Sequence, residues 1–327
     1  MEPLVPLQKS KSPAVPTAPL PSDLEGEIRR LMKQRNAVFL AHYYQDSEIQ
    51  DLADFVGDSL QLAQAAQRTQ ADVILFAGVH FMAETAKILN PTRTVLVPDL
   101  SASCSLADGC PAEKLRVWQQ KYPDHVTVSY INCSAAVKAI SDCIVTSSNA
   151  EKIIRSYPED QPILFAPDQH LGRWLQKKTG RQNIVCYPGS CMVHEIFSER
   201  EIVRLKHEFP DAEVLAHPEC EERVLGQAHF IGSTSALIKR AMESTATRFI
   251  IATEPGVIHE MKKRAPGKEF IPAPAEGGCA CNECPHMRLN TLEKVYLALR
   301  DLTPQLTMPE ELRLAALRPM QKMLSLS

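Results

Sequence analysis

The run Ala37-Val38-Phe39-Leu40-Ala41-His42-Tyr43-Tyr44 is a short β-rich stretch closed by polar rings, and it has two counterparts further along the chain. They are Val126-Thr127-Val128-Ser129-Tyr130-Ile131-Asn132 and Val214-Leu215-Ala216-His217-Pro218-Glu219. Each is followed by a hydroxyl residue at one fixed distance: His42 to Ser59, Tyr130 to Ser147 and His217 to Thr234 are all 17 positions apart. Successive pairs lie 88 and 87 positions along, and a cysteine follows each hydroxyl after 45, 44 or 50 residues, at Cys104, Cys191 and Cys284. One module repeated three times, each copy ending in a thiol, predicts a pseudo-threefold protein whose loops could meet on one metal centre.

Each copy shows four short apolar runs separated by helical stretches. The first runs, within the stretches above, are Ala37 to Ala41, Val126 to Ile131 and Val214 to Ala216, and the second are weak, around Phe55, Ile144 and Phe230. The third are Val73 to Ala77, Ile163 to Ala166 and Phe249 to Ala252; the fourth are Val95 to Val97, Ile184 to Tyr187 and Phe270 to Ile271. Strand-like runs alternating with helices imply βαβ crossovers and parallel sheets covered on both faces. The expected fold is therefore α/β: three pseudo-symmetric αβα domains, each with a small four-stranded parallel sheet, around a central site. A single eight-stranded βα barrel fits twelve strands in matching quartets poorly.

The expected boundaries are a Pro-rich disordered tail at 1–22, repeats at 23–112, 113–198 and 199–288, and two C-terminal helices at 289–327 packing on the first repeat. Asp23 is placed to cap the first helix, whose Leu24, Ile28, Leu31 and Met32 recur at helical spacing.

Composition narrows the function. An apolar content of 44% against 23% charged residues marks a folded protein with material for a core. A net charge of -3 argues against a nucleic-acid surface, which needs clustered Lys and Arg. No run of 18 apolar residues is present, so no membrane span is expected. Ten cysteines in a long chain without a recognisable leader favour metal or redox chemistry in a reducing cytoplasm over a disulfide framework.

Ligands of open parallel sheets bind beyond the carboxyl ends of the strands. His42, Tyr44, Tyr130, Asn132, His217 and Glu219 all follow first strands, so three copies would deliver them to one place. Taken singly, each reads as a satisfied buried polar residue; three in register favour a site. Ser59, Ser147 and Thr234 open the helical stretches Leu60 to Arg68, Ser148 to Ser156 and Ser235 to Met242, where a hydroxyl normally caps the helix. Three helix N-termini facing a cavity would also attract anions, such as a phosphate ester and a dicarboxylate.

Cys133, Cys143, Cys186 and Cys220 lie in or beside apolar runs and read as small buried hydrophobes. Cys104 and Cys191 sit instead in small-residue loops after fourth strands, and the third such loop, Gly277-Gly278-Cys279-Ala280-Cys281-Asn282-Glu283-Cys284-Pro285, offers three thiols. That third run alone could be half a zinc site, but no second paired knuckle accompanies it. One thiolate from each of three loops suits an iron–sulfur cube with one iron lacking a protein ligand, a Lewis acid able to help a hydroxyl leave. The Cys-x-x-x-Cys-x-x-Cys spacing of radical S-adenosylmethionine enzymes is absent.

The motifs Ala41-His42-Tyr43-Tyr44-Gln45, Asp58-Ser59-Leu60, Tyr130-Ile131-Asn132, Thr146-Ser147-Ser148-Asn149-Ala150, Pro188-Gly189-Ser190-Cys191, His217-Pro218-Glu219-Cys220, Gly232-Ser233-Thr234 and Cys284-Pro285-His286-Met287, in that order, resemble the quinolinate synthase family. The resemblance implies a 4Fe-4S cluster held by Cys104, Cys191 and Cys284. It implies condensation of iminoaspartate with dihydroxyacetone phosphate to quinolinate, with loss of phosphate and two waters. It implies substrate contacts at His42, Ser59, Tyr130, Asn132, Ser147, His217, Glu219 and Thr234, with Glu219, Tyr44 and Tyr130 as acid and base groups. It further implies a functional link to the L-aspartate oxidase that supplies iminoaspartate. Some relatives carry Cys-x-x-Cys-x-x-Cys in the third loop; here the first gap is one residue shorter, and strain limits a disulfide between Cys279 and Cys281. Two other classes remain open: a zinc-dependent aldolase-type enzyme acting on a triose phosphate, and a zinc-stabilised scaffold.

Overall fold

The computed structural model describes residues 19–277 and 282–327. Most of the expected tail, and Cys279 and Cys281 with any bridge between them, lie outside the described residues. The fold begins at the helix Leu24–Gln34, where Asp23 accepts a 2.8 Å hydrogen bond from the Gly26 N–H and caps the first turn.

Among the described residues, twelve strands form three separate sheets. The first holds β1 (Ala37–His42), β2 (Phe55–Gly57), β3 (Val73–Ala77) and β4 (Thr94–Leu96) in the order β2-β1-β3-β4. The second holds β5 (Val126–Tyr130), β6 (Cys143–Val145), β7 (Ile163–Ala166) and β8 (Ile184–Cys186) in the order β6-β5-β7-β8. The third holds β9 (Glu213–Ala216), β10 (Phe230–Ile231), β11 (Arg248–Ala252) and β12 (Glu269–Pro272) in the order β10-β9-β11-β12. Every pairing is parallel, so the three-domain α/β reading holds and the single barrel does not.

This strand order positions the site. After its first strand each chain segment crosses to one edge, and it later returns on the opposite side to form the third strand. The carboxyl end of the first strand is thus a topological switch point, where the flanking connections diverge and leave a crevice. The central strands are buried on both faces; all of Val73–Ala77 and Ile163–Ala166 is buried, which is why these runs read as unbroken apolar stretches rather than alternating ones.

The units share apolar packing. One continuous core joins Leu40, Ile74, Phe76 and Ile88 of the first unit to Val128, Ile144, Ile163 and Phe165 of the second. Both C-terminal helices were expected on the first unit, and the structure places only one of them there alone. The helix Leu292–Asp301 lies on Leu24–Gln34 and β3, burying Val295, Ala298 and Leu299 with Ile28 and Leu31. The helix Glu310–Leu326 instead lies on Ala135–Ala139 and β6 of the second unit, touching the first at His80–Leu89. Its buried Ala316, Met320 and Met323 complete the core that bridges the two units, a face that neither unit could cover alone.

Candidate metal and substrate site

The switch-point loops of the three units converge on one cavity holding about 690 Å³ of atom-free space, part of it open to solvent. His42 and Tyr44, Tyr130 and Asn132, and His217 and Glu219 line it, as do Ser59, Ser147, Thr234, Cys104, Cys191 and Cys284. All twelve residues singled out by spacing or motif are therefore brought together.

The local geometry repeats. The backbone N–H of Tyr44 donates to His42 Nδ1 at 3.2 Å, and that of Glu219 donates to His217 Nδ1 at 3.4 Å. A ring whose Nδ1 accepts carries its proton on Nε2, so each imidazole offers an N–H donor. His217 Nε2 reaches Ser147 Oγ at 3.2 Å. Burial pushes His42 down to about 4 and His217 down to about 3, against weaker upward pulls from Asp58 and Glu219 on His42 and from Glu219 on His217. Both rings are neutral near pH 7 and offer a hydrogen bond rather than a charge to the cavity.

Glu219 is 3% exposed and sits at the centre of this network. Its Oε2 accepts from His194 Nδ1 at 2.8 Å, and its Oε1 accepts from Asn132 Nδ2 at 3.4 Å. Burial alone would raise its carboxyl, but the His194 ring and the hydrogen bonds from His194 and Tyr130 outweigh it and hold the group below the usual carboxylate range. Tyr44 and Tyr130 respond oppositely, since burial and the Glu219 charge push both phenols well above their usual range. They are fixed O–H groups. The Tyr44 hydroxyl lies 2.9 Å from Thr234 Oγ1 and 2.7 Å from Thr253 Oγ1, and Thr253 Oγ1 lies 2.9 Å from His194 Nε2.

The expectation that Ser59, Ser147 and Thr234 cap helices is corrected. The helix Ser59–Arg68 is capped by Asp58, and Thr234–Glu243 is capped by Ser233. Capping by the preceding residue leaves Ser59 and Thr234 at the first helical position, on the cavity wall. In the second unit the helix starts only at Ala150, because Asn149 Oδ1 accepts from the Thr146 N–H at 2.7 Å and folds 146–149 into a turn. Two long helices rather than three thus point their N-termini inward.

The three thiols share one local geometry. Cys104 accepts from the N–H groups of Leu106 and Ala107, Cys191 from those of Val193 and His194, and Cys284 from those of His286 and Met287. In each case the donors lie two and three residues further on. None is in a disulfide. Burial pushes Cys104 up to about 12, Cys191 well above its usual range and Cys284 upward, with Glu219 and the neighbouring thiols adding to the rise in Cys104 and Cys191. Without a cation these sulfurs remain protonated; a metal centre would release the protons and turn the paired N–H groups into charge-assisted donors. Three thiols from three units, each over its own pair of amides, form a sulfur donor set able to hold a metal centre.

Several contributors escaped the sequence reading. His194 lies 3.2 Å from Cys191 Sγ, and donor atoms of Cys191, His194 and Glu219 all lie within 4.8 Å of one another. Its signal was present in the sequence, three residues past Cys191. Glu254, fully buried at the end of β11, is pushed up to about 7 by burial despite the Arg288 charge beside it. Arg288 Nη2 pairs with Glu254 Oε1 at 2.7 Å while its Nη1 donates to the Tyr44 carbonyl at 2.7 Å, tying the Cys284 loop to two strand ends. Among the described residues no helix is long and apolar enough to cross a membrane.

The family described as Quinolinate synthetase A protein matches residues 26–325. The chain belongs to the quinolinate synthase family. A quinolinate synthase of Nostoc punctiforme is 62% identical over 308 residues, covering 94% of this chain and 95% of its own. Those of Trichodesmium erythraeum and Thermosynechococcus vestitus are 60% identical over 308 residues and 59% over 315, covering 94% and 96% of this chain and 95% and 98% of theirs. Quinolinate synthases are enzymes of NAD biosynthesis, and the shared length takes in every residue of the cavity described above.

Proposed function

We propose that this chain condenses iminoaspartate with dihydroxyacetone phosphate to give quinolinate, phosphate and two waters. The observation that carries the reading is the trio of thiols, one per unit and each over the same amide pair, on the wall of the cavity that holds Glu219, Tyr44 and Tyr130. Cys104, Cys191 and Cys284 would hold a 4Fe-4S cluster, leaving one iron without a protein thiolate. When bound, the cluster supplies Lewis acidity that eases departure of a hydroxyl.

The remaining chemistry falls to side chains. Neutral His42 and His217, with Asn132, Ser59, Ser147 and Thr234, present hydrogen-bond donors to the phosphate and the carboxylates, and burial excludes competing water. Glu219, held as a carboxylate, takes protons from the carbon beside the imine and from the closing ring. Tyr130 and Tyr44, held as phenols, donate protons to leaving oxygens, and Thr253 and His194 link Tyr44 to Glu219. A reducing cytoplasm, a functional link to the oxidase that supplies iminoaspartate, and repeat boundaries near 112/113 and 198/199 belong to the same proposal.

The test is iron and sulfide content of anaerobically purified protein together with quinolinate formation from the two substrates. Protein rich in iron and sulfide that forms no quinolinate overturns the reaction assigned here. A second reading rests on the mixed sulfur, nitrogen and oxygen set of Cys191, His194 and Glu219, which suits a single catalytic zinc of an aldolase-type enzyme on a triose phosphate. Stoichiometric zinc and a colourless protein would select it.

A further inference from the structure

Asp58 precedes Ser59 at the carboxyl end of β2 and is 5% exposed. Its Oδ1 accepts from the N–H groups of Leu60 at 3.1 Å and Gln61 at 3.0 Å, capping its own helix. Its Oδ2 serves the other two units: Ser148 Oγ donates at 2.9 Å and Ser235 Oγ at 2.5 Å. Ser148 and Ser235 directly follow Ser147 and Thr234, as Leu60 follows Ser59. One carboxylate thus joins the three segments that carry the three hydroxyls on the cavity wall.

The threefold pattern is broken in a complementary way at this point. Where the first unit has Asp58, the others have Thr146 and Ser233; where they have Ser148 and Ser235, the first has Leu60, which cannot donate through its side chain. Three carboxylates here would repel one another, and three hydroxyls would lack an acceptor able to take four donors at once. One acceptor and two donors satisfy the junction.

We propose that Asp58 is a positioning residue whose carboxylate ties the segments bearing Ser59, Ser147 and Thr234 and so sets the separation of these hydroxyls. The proposal rests on the reading that the hydroxyls bind the substrates. Helix capping alone does not account for the arrangement, because capping uses only Oδ1 while Oδ2 is given entirely to the other two units.

The S148A/S235A double variant leaves the cap intact and removes the tie. On anaerobic cluster-loaded enzyme, kcat/KM should fall by about 10- to 100-fold, mainly through KM, because binding groups are displaced rather than proton-transfer groups. Amide exchange should quicken in 58–61, 146–149 and 233–236 together, while the thermal midpoint changes little. In D58N the cap is preserved, since Asn caps as well as Asp, so a capping role alone predicts wild-type KM and the tie predicts an increase. Wild-type KM and exchange in the double variant overturn the proposal while leaving the assigned reaction standing. Should the unmodified enzyme form no quinolinate, that reaction fails instead, and concerted exchange in the three segments decides the tie by itself.

Discussion

Replacing Glu219 by Gln separates proton transfer from metal binding at this site. The substitution keeps shape and removes one charge from a group that is 3% exposed and accepts from His194 at 2.8 Å and Asn132 at 3.4 Å. Loss of a positioned acid–base group lowers turnover by about 10²- to 10⁴-fold. The structural cost is smaller: His194 Nδ1–H faces an amide that accepts at only one atom, and a buried donor left short of a partner costs about 1–3 kcal/mol. Single-turnover quinolinate formation on anaerobic E219Q should therefore be slower by at least about 10²-fold, with iron, sulfide and visible absorbance unchanged. Wild-type turnover would remove Glu219 from the proton-transfer role. Loss of metal with turnover would make it a ligand and favour the Cys191, His194 and Glu219 set.

Ser in place of Cys104, Cys191 or Cys284 should abolish the visible chromophore, whereas C133S and C143S, outside the cavity, should keep it; a coloured C284S protein would contradict the ligand assignment. The neutral rings of His42 and His217 predict acid sensitivity of known sign. Because folding depresses both, their contribution is complete above about pH 6.5, the ordinary histidine value, and is lost as pH falls toward about 4 for His42 and about 3 for His217. Each ring contributes a slope of up to about 1.4 kcal/mol per pH unit, so unfolding midpoints of H217N should depend less on pH than those of the parent; an equal slope counts against a buried neutral ring. In G189A the new Cβ would strike the Pro167 carbonyl oxygen, which is backbone and cannot rotate away. The loop carrying Cys191 should shift, and iron content should drop more than the thermal midpoint does.

Much of this site was legible because a switch-point loop has a fixed place relative to its strand. Once β1, β5 and β9 were recognised from their apolar runs, the polar residues after them were committed to the same end of each sheet. Helix entry was less legible. Ser59, Ser147 and Thr234 occupy equivalent positions, yet the preceding residue takes the cap in two units and a turn delays the helix in the third, since Asp58, Ser233 and Asn149 all compete for backbone donors within a few residues. The place of the last helix was less legible for another reason: its apolar face enters a core shared by two units, and periodicity reports that a face is buried without saying by what.

The repeat spacing, the β-rich runs and the three loop cysteines by themselves determined the number of units, their parallel sheets and the residues that meet at the centre, because all of these follow from local pattern and chain distance. The tertiary structure alone decided that Asp58 joins three units, that His194 bridges Cys191 and Glu219, and that Glu310–Leu326 closes the second unit. Chain spacing marks equivalent positions in the three units but not which side chains meet across them, so those contacts come into being only when the sheets pack against one another.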